Sequence, residues 1–356
     1  MASLIPIQNL YYLLCYAWGL PEQREWVSVK ADSCPSVVDL MARLVCKGAD
    51  VLLKRGIAKE YIAYQTEIAG VKGKLELAET LKRGLYREGK TVCLIDDLTG
   101  NILLNQIVYS TLYNLLGNKE LDKKVHDDIR RAFLRFPKVD IIKLTPSVFK
   151  KVRLNRNNRF YRLIVNVCEL LSQKMLPDKD HPGEYKFIDF TREEKEMNRI
   201  FEAFLLNFYQ KECSTAYPSV RSTKIHFQIT GKGEEDQALL PEMKTDVTLD
   251  NPKAGRRIIL DAKYYQEMFN SRFEGGAKKL IRDHISQIQS YINNQEDPET
   301  PYTLQTNGIM VYPMTNIQFT EANYQYRNHR LRFCALDLAQ DWRGIDRRLR
   351  QIIEFE

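Results

Sequence analysis

Apolar residues recur every three or four positions in several stretches of this chain, and each such stretch predicts a helix with one buried face. Thr191 is the expected N-cap of the predicted helix over 192–211, with Glu194 three residues later. Asn101 or Thr99 is positioned to cap the predicted helix over 102–116. The predicted helices cover residues 7–18, 102–116, 160–176 and 192–211.

Short β-branched and aromatic runs, separated by turn residues, predict strands elsewhere. Gly70 and Gly73 interrupt two such runs within 60–95, which indicates a small β-structure there. The second half predicts strands, a helix, a strand and a last charged helix, an order typical of an α/β sandwich. These elements are expected at 223–230, 244–249, 257–264, 277–293, 308–312 and 336–353.

A length of 356 residues exceeds the usual size of one domain, so we expect two. The best linker is the segment 177–186, which is dense in Pro, Gly and Asp. We therefore predict a mixed α+β N-terminal domain over 1–180. The predicted C-terminal domain covers 181–356 and is an α/β domain with a central mixed sheet flanked by helices.

Composition excludes bulk disorder, because 44% of the residues are hydrophobic and 28% are charged. No apolar run approaches the length of a membrane span, and the first residues lack the features of a signal peptide, so we expect a cytoplasmic protein. The seven cysteines contain no C-x-x-C pair, which favours reduced core residues over a zinc site or a disulfide framework.

The net charge of +7 is unevenly distributed. Residues 123–162, here called the basic block, carry thirteen Lys and Arg against three Asp, a local balance of +10. Such a block is typical either of a surface that follows nucleic-acid phosphates or of a solvated helix face, and the run alone does not decide between them.

The stretch KTDVTLDNPKAGRRIILDAKYY predicts a β-hairpin with a loop over 250–257, because it places Pro and Gly between two β-branched runs. The centre of that loop lies halfway between Asp246 and Asp261. In a symmetric antiparallel pairing the two carboxylates face each other, with Cβ atoms about 4.5–5.5 Å apart. Lys263 lies on the same face as Asp261, and Ala262 points toward the core.

Opposed like charges destabilise a sheet unless something compensates them. Two carboxylates with water ligands suit Mg²⁺, and Lys263 beside the metal could position or deprotonate a water for phosphodiester hydrolysis. The alternative is an exposed salt bridge on a strand. Glu202 flanks the apolar face of the predicted 192–211 helix, where it either joins the site or remains a solvated helix edge.

A further polar group lies on the predicted 277–293 helix. Gln287 and Tyr291 share one face there, where they either support the site or simply pack the helix against the sheet. His284 is expected to be a local hydrogen-bonding residue, because hydrolysis of this type does not need an imidazole.

Taken in order, these residues resemble the core of the PD-(D/E)XK nucleases, in the branch with a trailing Gln-hydrophobic-x-x-Tyr helix. Thr245 replaces the proline of the name-giving pattern. Three longer phrases resemble the McrC family, the nuclease subunits of McrBC-type (5-methylcytosine) restriction systems. The phrases are IPIQNLYYLLCYAWG, DDLTGNILLNQIV and MNRIFEAFLLNFY.

The resemblance implies roles for each matched residue. Asp246, Asp261 and Lys263 would form the cleavage triad, and Gln287 with Tyr291 would support the catalytic face or the DNA backbone. Asp246, Asp261 and Glu202 would be the Mg²⁺ ligands, with Glu202 auxiliary.

The resemblance also implies partners: double-stranded DNA, methylated in such systems, and a hexameric McrB-like AAA+ GTPase. The N-terminal part would dock on the GTPase and stimulate its GTP hydrolysis, and two copies of the chain would act together to cut a duplex. The chain itself has no G-x-x-x-x-G-K-[ST] loop. The alternative function is a non-catalytic adaptor that keeps the nuclease fold to grip DNA and to activate the GTPase.

Overall fold

The structure is a computed structural model that describes residues 5–24, 36–177, 184–229, 234–264, 269–270, 279–314 and 321–355. In chain order its helices are α1 (Ile7–Ala17), α2 (Val37–Arg55), α3 (Leu77–Lys82), α4 (Leu103–Leu116), α5 (Lys123–Arg135), α6 (Pro146–Lys150), α7 (Arg162–Lys174), α8 (Glu194–Glu212), α9 (Glu234–Ala238), α10 (Arg282–Asn293) and α11 (Trp342–Ile352). None of the described helices combines the length and the apolar character that a bilayer crossing requires.

The longest strands in the described part of the chain are β1 and β3, with ten residues each. They are β1 (Glu60–Ala69), β2 (Lys74–Leu75), β3 (Lys90–Thr99), β4 (Met175–Pro177), β5 (Tyr185–Phe187), β6 (Ser219–Arg221), β7 (Lys224–Ile225), β8 (Met243–Lys244), β9 (Val247–Asn251), β10 (Arg256–Ala262), β11 (Phe269–Asn270), β12 (Lys279–Leu280), β13 (Asn307–Met314), β14 (Glu321–Tyr326) and β15 (His329–Asp337).

The chain forms two compact units. The inserted unit is Pro35–Ile188, and the sheet unit combines Met1–Cys34 with Asp189–Glu356. We expected residues 1–180 to form one domain, but the first 34 residues belong with the second half of the chain, and the later boundary follows Ile188. Residues 178–183 of the predicted linker lie outside the described residues.

Helices and a small sheet make up the inserted unit. Helices α2, α4, α5 and α7 pack against one another, and β3 pairs antiparallel with both β1 and β2. The β-structure expected over 60–95 is therefore present, with the short helix α3 between its strands. Neither Asn101 nor Thr99 caps α4, whose N-cap residue is Ile102.

A six-stranded mixed sheet, in the order β14-β15-β13-β10-β9-β6, forms the centre of the sheet unit. The β10–β13 and β13–β15 pairs are parallel, and the others are antiparallel. Alternate residues of β10 serve two cores. Leu260 and Ala262 join the core that contains Phe204 of α8, while Ile259 joins the core that contains Ile288 of α10. Helices therefore cover both faces, as the sequence predicts.

Helix α1 completes the first of these cores. The rings of Tyr12 and Tyr16 lie 5.7 and 5.8 Å from that of Phe204, and Asn9 donates a hydrogen bond to the carbonyl of Leu338 at 2.7 Å. The side chain of Tyr12 is only 2% exposed. This packing explains why the first residues belong with the sheet unit.

In the sheet unit, two further predictions about helix ends were wrong. The expected helix over 336–353 begins only at Trp342, because Leu336 and Leu338 are buried in the sheet core and Asp341 caps α11 through the N–H of Arg343 at 2.9 Å. Thr191 does not cap α8; it lies in a preceding 3-10 turn, where Asp189 accepts from its N–H at 3.1 Å. Of the strand expected at 223–230, only Lys224–Ile225 forms a strand, β7, while β6 ends earlier at Arg221. Residue 230 lies outside the described residues.

Candidate active site

The β9–β10 hairpin sets the register of the site. The ladder has the symmetric register that the sequence predicts, and its last pair is Leu260 with Val247. Asp261 and Asp246 are the next residues beyond that pair, with Asp246 in a bend just before β9. The loop is tight because Asn251 accepts a hydrogen bond from the N–H of Ala254 at 3.0 Å. Gly255 follows with φ +61°, a conformation that favours glycine.

Asp246 lies just before β9, and backbone groups hold it in place. Its Oδ2 accepts a hydrogen bond from the N–H of Ala262 at 2.7 Å. The preceding residue, Thr245, donates its own N–H to the carbonyl of Thr223 at 2.9 Å, and its Oγ1 lies 2.9 Å from that of Thr248. A proline at this position has no N–H to donate, so threonine preserves a hydrogen bond that proline would remove.

Asp261 is 1% exposed, and the side chains of Lys263 and Gln287 contact its carboxylate. The ammonium Nζ of Lys263 lies 2.6 Å from its Oδ2. The amide Nε2 of Gln287 on α10 donates to its Oδ1 at 3.1 Å and to the hydroxyl of Tyr291 at 2.6 Å. Because Asp261 shares the α10-facing side of β10 with Ile259, the strand delivers the carboxylate directly to Gln287.

The backbone of Lys263 is also fixed, although the residue follows the end of β10. Its N–H donates to the carbonyl of Val311 on β13 at 2.9 Å. The Lys263 side chain is 13% exposed, so the ammonium is largely sheltered from water but still accessible.

Burial and neighbouring negative charges disfavour the ionised forms of the two aspartates. Burial raises the pKa of Asp246, and the negative charges of Asp261 and Glu202 raise it further. Burial also raises the pKa of Asp261, while the Lys263 ammonium opposes that shift. The site therefore favours either a shared proton or an additional cation.

Glu202 belongs to the same charged neighbourhood. Burial raises its pKa, the charge of Asp261 raises it further, and Lys263 lowers it. Its Oε1 accepts a hydrogen bond from Nδ2 of Asn198, one turn earlier on α8. Among the described ranges of the chain, no three His, Cys, Asp or Glu side chains are grouped closely enough to form a metal cluster on their own.

The structure thus brings Asp246, Asp261, Lys263 and Gln287 together through direct contacts or through the backbone next to them. Glu202 joins them through its charge. His284 is a local hydrogen-bonding residue as expected, with Nδ1 3.0 Å from the hydroxyl of Tyr312.

Sequence reasoning missed Asn198. The signal that could have found it is its spacing of four residues before Glu202, which places both side chains on one helical face.

A family profile and a relative from Escherichia coli both match most of this chain. The profile of the family described as "McrBC 5-methylcytosine restriction system component" matches residues 7–313. Over 352 residues the chain is 29% identical to the "Type IV methyl-directed restriction enzyme EcoKMcrBC" of Escherichia coli (strain K12), covering 98% of this chain and 97% of the relative.

Among solved structures, the chain is similar to one from a refined half-complex of the tetradecameric assembly of Thermococcus gammatolerans McrB AAA+ hexamers with bound McrC. The TM-score is 0.58 at 17% identity, over 98% of this chain and 76% of that one, which shows a shared fold. Since the family profile spans most of the sequence, this chain belongs to the family of McrBC 5-methylcytosine restriction system components.

Proposed function

We propose that this chain is the nuclease subunit of a GTP-dependent, modification-dependent restriction system that defends against foreign DNA. In this proposal it is a PD-(D/E)XK nuclease and hydrolyses phosphodiester bonds of double-stranded DNA with Mg²⁺. The observation that carries the proposal is the pair of opposed, sheltered carboxylates at Asp246 and Asp261, with the Lys263 ammonium 2.6 Å from the second. Family membership and the E. coli relative, a methyl-directed restriction enzyme, support the same reading.

The proposed partner is a hexameric McrB-like AAA+ GTPase whose GTP hydrolysis this chain stimulates. The similar solved structure holds McrC bound to McrB hexamers, which supports such a complex. Since each chain supplies one site, we propose that two copies act together to cut both strands of a duplex.

The residues present fit a magnesium ion. The donor set consists of hard carboxylate oxygens, and Mg²⁺ usually keeps several waters, so one or two protein carboxylates are sufficient. Asp246 and Asp261 would hold the ion, with Glu202 as an auxiliary ligand. When bound, Mg²⁺ supplies a Lewis acid and a more acidic water.

The chain's own groups then have separable tasks. Lys263 positions the attacking water and offsets charge that develops on the phosphate. Gln287 fixes one oxygen of Asp261, and Tyr291 fixes Gln287. The N–H of Ala262 sets the orientation of Asp246.

The decisive experiment is a cleavage assay on methylated and unmethylated plasmids, with and without the GTPase partner, GTP and Mg²⁺. Lys263→Ala and Asp261→Ala should abolish cleavage while leaving the stimulation of GTP hydrolysis intact. Lys253→Ala, in the exposed hairpin loop, is the matched control and should cleave normally. Unchanged cleavage by either site variant would sink the assignment. A wild-type chain that stimulates GTP hydrolysis but never cuts would identify the adaptor instead.

A further inference from the structure

Asn198 connects the helix that carries Glu202 to the backbone that carries Lys263. The N–H of Tyr264, the residue directly after Lys263, donates to Oδ1 of Asn198 at 3.0 Å. At the other end of the same amide, Nδ2 donates to Oε1 of Glu202. One side chain therefore contacts the segments on both sides of the site.

These contacts use the two different ends of the amide and fix its orientation. The backbone N–H of Tyr264 requires an acceptor, so the amide oxygen must point to it and the NH₂ group must point to Glu202. Aspartate at this position could accept from Tyr264, but it has no donor for Glu202 when ionised. Alanine can make neither contact.

Without the Asn198 amide, the neighbouring charges would displace the Glu202 carboxylate. It lies in the field of Asp261, which repels it, and of Lys263 and Lys244, which attract it. A hydrogen bond from a neutral donor holds the carboxylate without cancelling its charge, and so keeps it available as an oxygen ligand.

We propose that Asn198 is a positioning residue of the cleavage site, which holds the Glu202 carboxylate and the Lys263–Tyr264 backbone at a fixed separation. The inference rests on the proposed nuclease function and adds a residue that acts through Glu202. Groups that orient metal ligands in this way typically contribute about 10- to 100-fold in metal affinity or activity.

The test combines Asn198→Ala and Asn198→Asp with Glu202→Gln in a double-mutant cycle. The first readout is the Mn²⁺ dissociation constant of the isolated chain, measured by electron paramagnetic resonance. The second is the Mg²⁺ concentration for half-maximal cleavage in the complex with partner and GTP. Each Asn198 variant should raise the Mn²⁺ dissociation constant and the half-maximal Mg²⁺ concentration by about tenfold or more. In the Glu202→Gln background the Asn198→Ala effect should largely vanish, because the two residues act as one unit.

Asn207→Ala is the matched control, since Asn207 lies on the same helix and donates to the carbonyl of Ala17 at 3.1 Å, away from the site. It should leave both readouts unchanged, and the thermal unfolding of all variants separates misfolding from mispositioning. Wild-type metal dependence in Asn198→Ala, or an equal loss with and without Glu202, would overturn the inference. If Lys263→Ala also cuts normally, the proposed function fails as well; if only the Asn198 result is negative, the proposed function stands.

Discussion

Asp246 and Asp261 are the residues next to the last β9–β10 pair, Val247 with Leu260, and the Asp246 carboxylate accepts a hydrogen bond from the N–H of Ala262, the residue after Asp261. The geometry of the candidate site therefore depends on strand register. A slip by one residue would turn Asp261 toward the α8 face of the sheet and separate it from Gln287. The geometry of the candidate site and the stability of the sheet are therefore coupled at this hairpin.

Removal of the Gln287 amide should weaken cleavage without unfolding the protein. The Gln287→Ala variant loses the donor to Asp261 at 3.1 Å and leaves Tyr291 without that donor. We expect the rate of plasmid cleavage at saturating DNA to fall by about 10- to 100-fold, with KM for DNA nearly unchanged. Gln210→Ala, which removes an exposed side-chain bond to the carbonyl of Val220, is the control. A Gln287 variant as active as this control would show that the residue only packs.

How much of this site the sequence predicts depends on how local each determinant is. The hairpin register follows from turn residues at 251–255 and the strands beside them, and the observed pairing of Leu260 with Val247 confirms the predicted register. The match of Asn9 to Leu338 spans 329 residues, and no local pattern in α1 identifies its distant partner. For that reason the sequence divided the chain at one boundary instead of assigning α1 to the sheet unit.

Helix starts and the last two strands of the sheet were predicted less well. β14 alternates polar with apolar residues in EANYQY, and β15 does so only over Arg330–Phe333 of HRLRFCALD, so the sequence analysis assigned no strand to either segment. At Thr191 the motif for an N-cap is present, but Asp189 accepts hydrogen bonds from both the N–H and the hydroxyl of Thr191, which lies in a 3-10 turn before the helix. Tertiary and neighbouring contacts override such short signals.

Replacement of Thr245 by proline should destabilise this chain. Thr245→Pro removes the N–H that bonds Thr223 and the hydroxyl that contacts Thr248. An unsatisfied acceptor in this nearly buried turn costs about 1–3 kcal/mol. Urea denaturation should show this loss in the free energy of unfolding, and Thr245→Ser, which keeps both groups, should lose less. Equal stability of the proline variant and the wild type would contradict this account of the threonine.

Glu212 should contribute stability that depends on pH. Burial alone would raise its pKa, but hydrogen bonds from Tyr16 and Arg350 and the charge of Arg24 lower it overall. A carboxyl whose pKa is lower in the folded state stabilises the protein above its unfolded pKa, and this contribution is lost as the pH falls through the folded value.

Glu212→Gln should therefore lower the unfolding temperature at pH 7, and the difference from wild type should shrink below about pH 4. Thermal unfolding followed by circular dichroism across this range measures it. Glu299→Gln, at an exposed position, is the control and should show little difference at any pH. A gap between Glu212→Gln and wild type that is constant with pH would mean that packing, not charge, is responsible.

The basic block should bind a polyanion, either DNA or an acidic face of the GTPase partner. All thirteen of its Lys and Arg side chains are exposed. Only Arg131 and Arg135 have a carboxylate partner within the described part of the chain, at Asp128 and Asp50. The remaining eleven cations are not neutralised by such ion pairs, which favours a binding surface over a self-paired helix face.

Reversal of three of these charges, in Lys150→Glu/Lys151→Glu/Arg153→Glu, tests this surface. If it contacts DNA, the slope of log affinity against log salt should fall in magnitude by about three, since each phosphate contact contributes about 0.9. If it contacts the GTPase, the same flattening should appear in complex formation without DNA. A triple reversal at Lys195, Lys211 and Lys253 changes the net charge equally and controls for bulk electrostatics. No difference between the two triple variants in either titration would refute a binding role for the block.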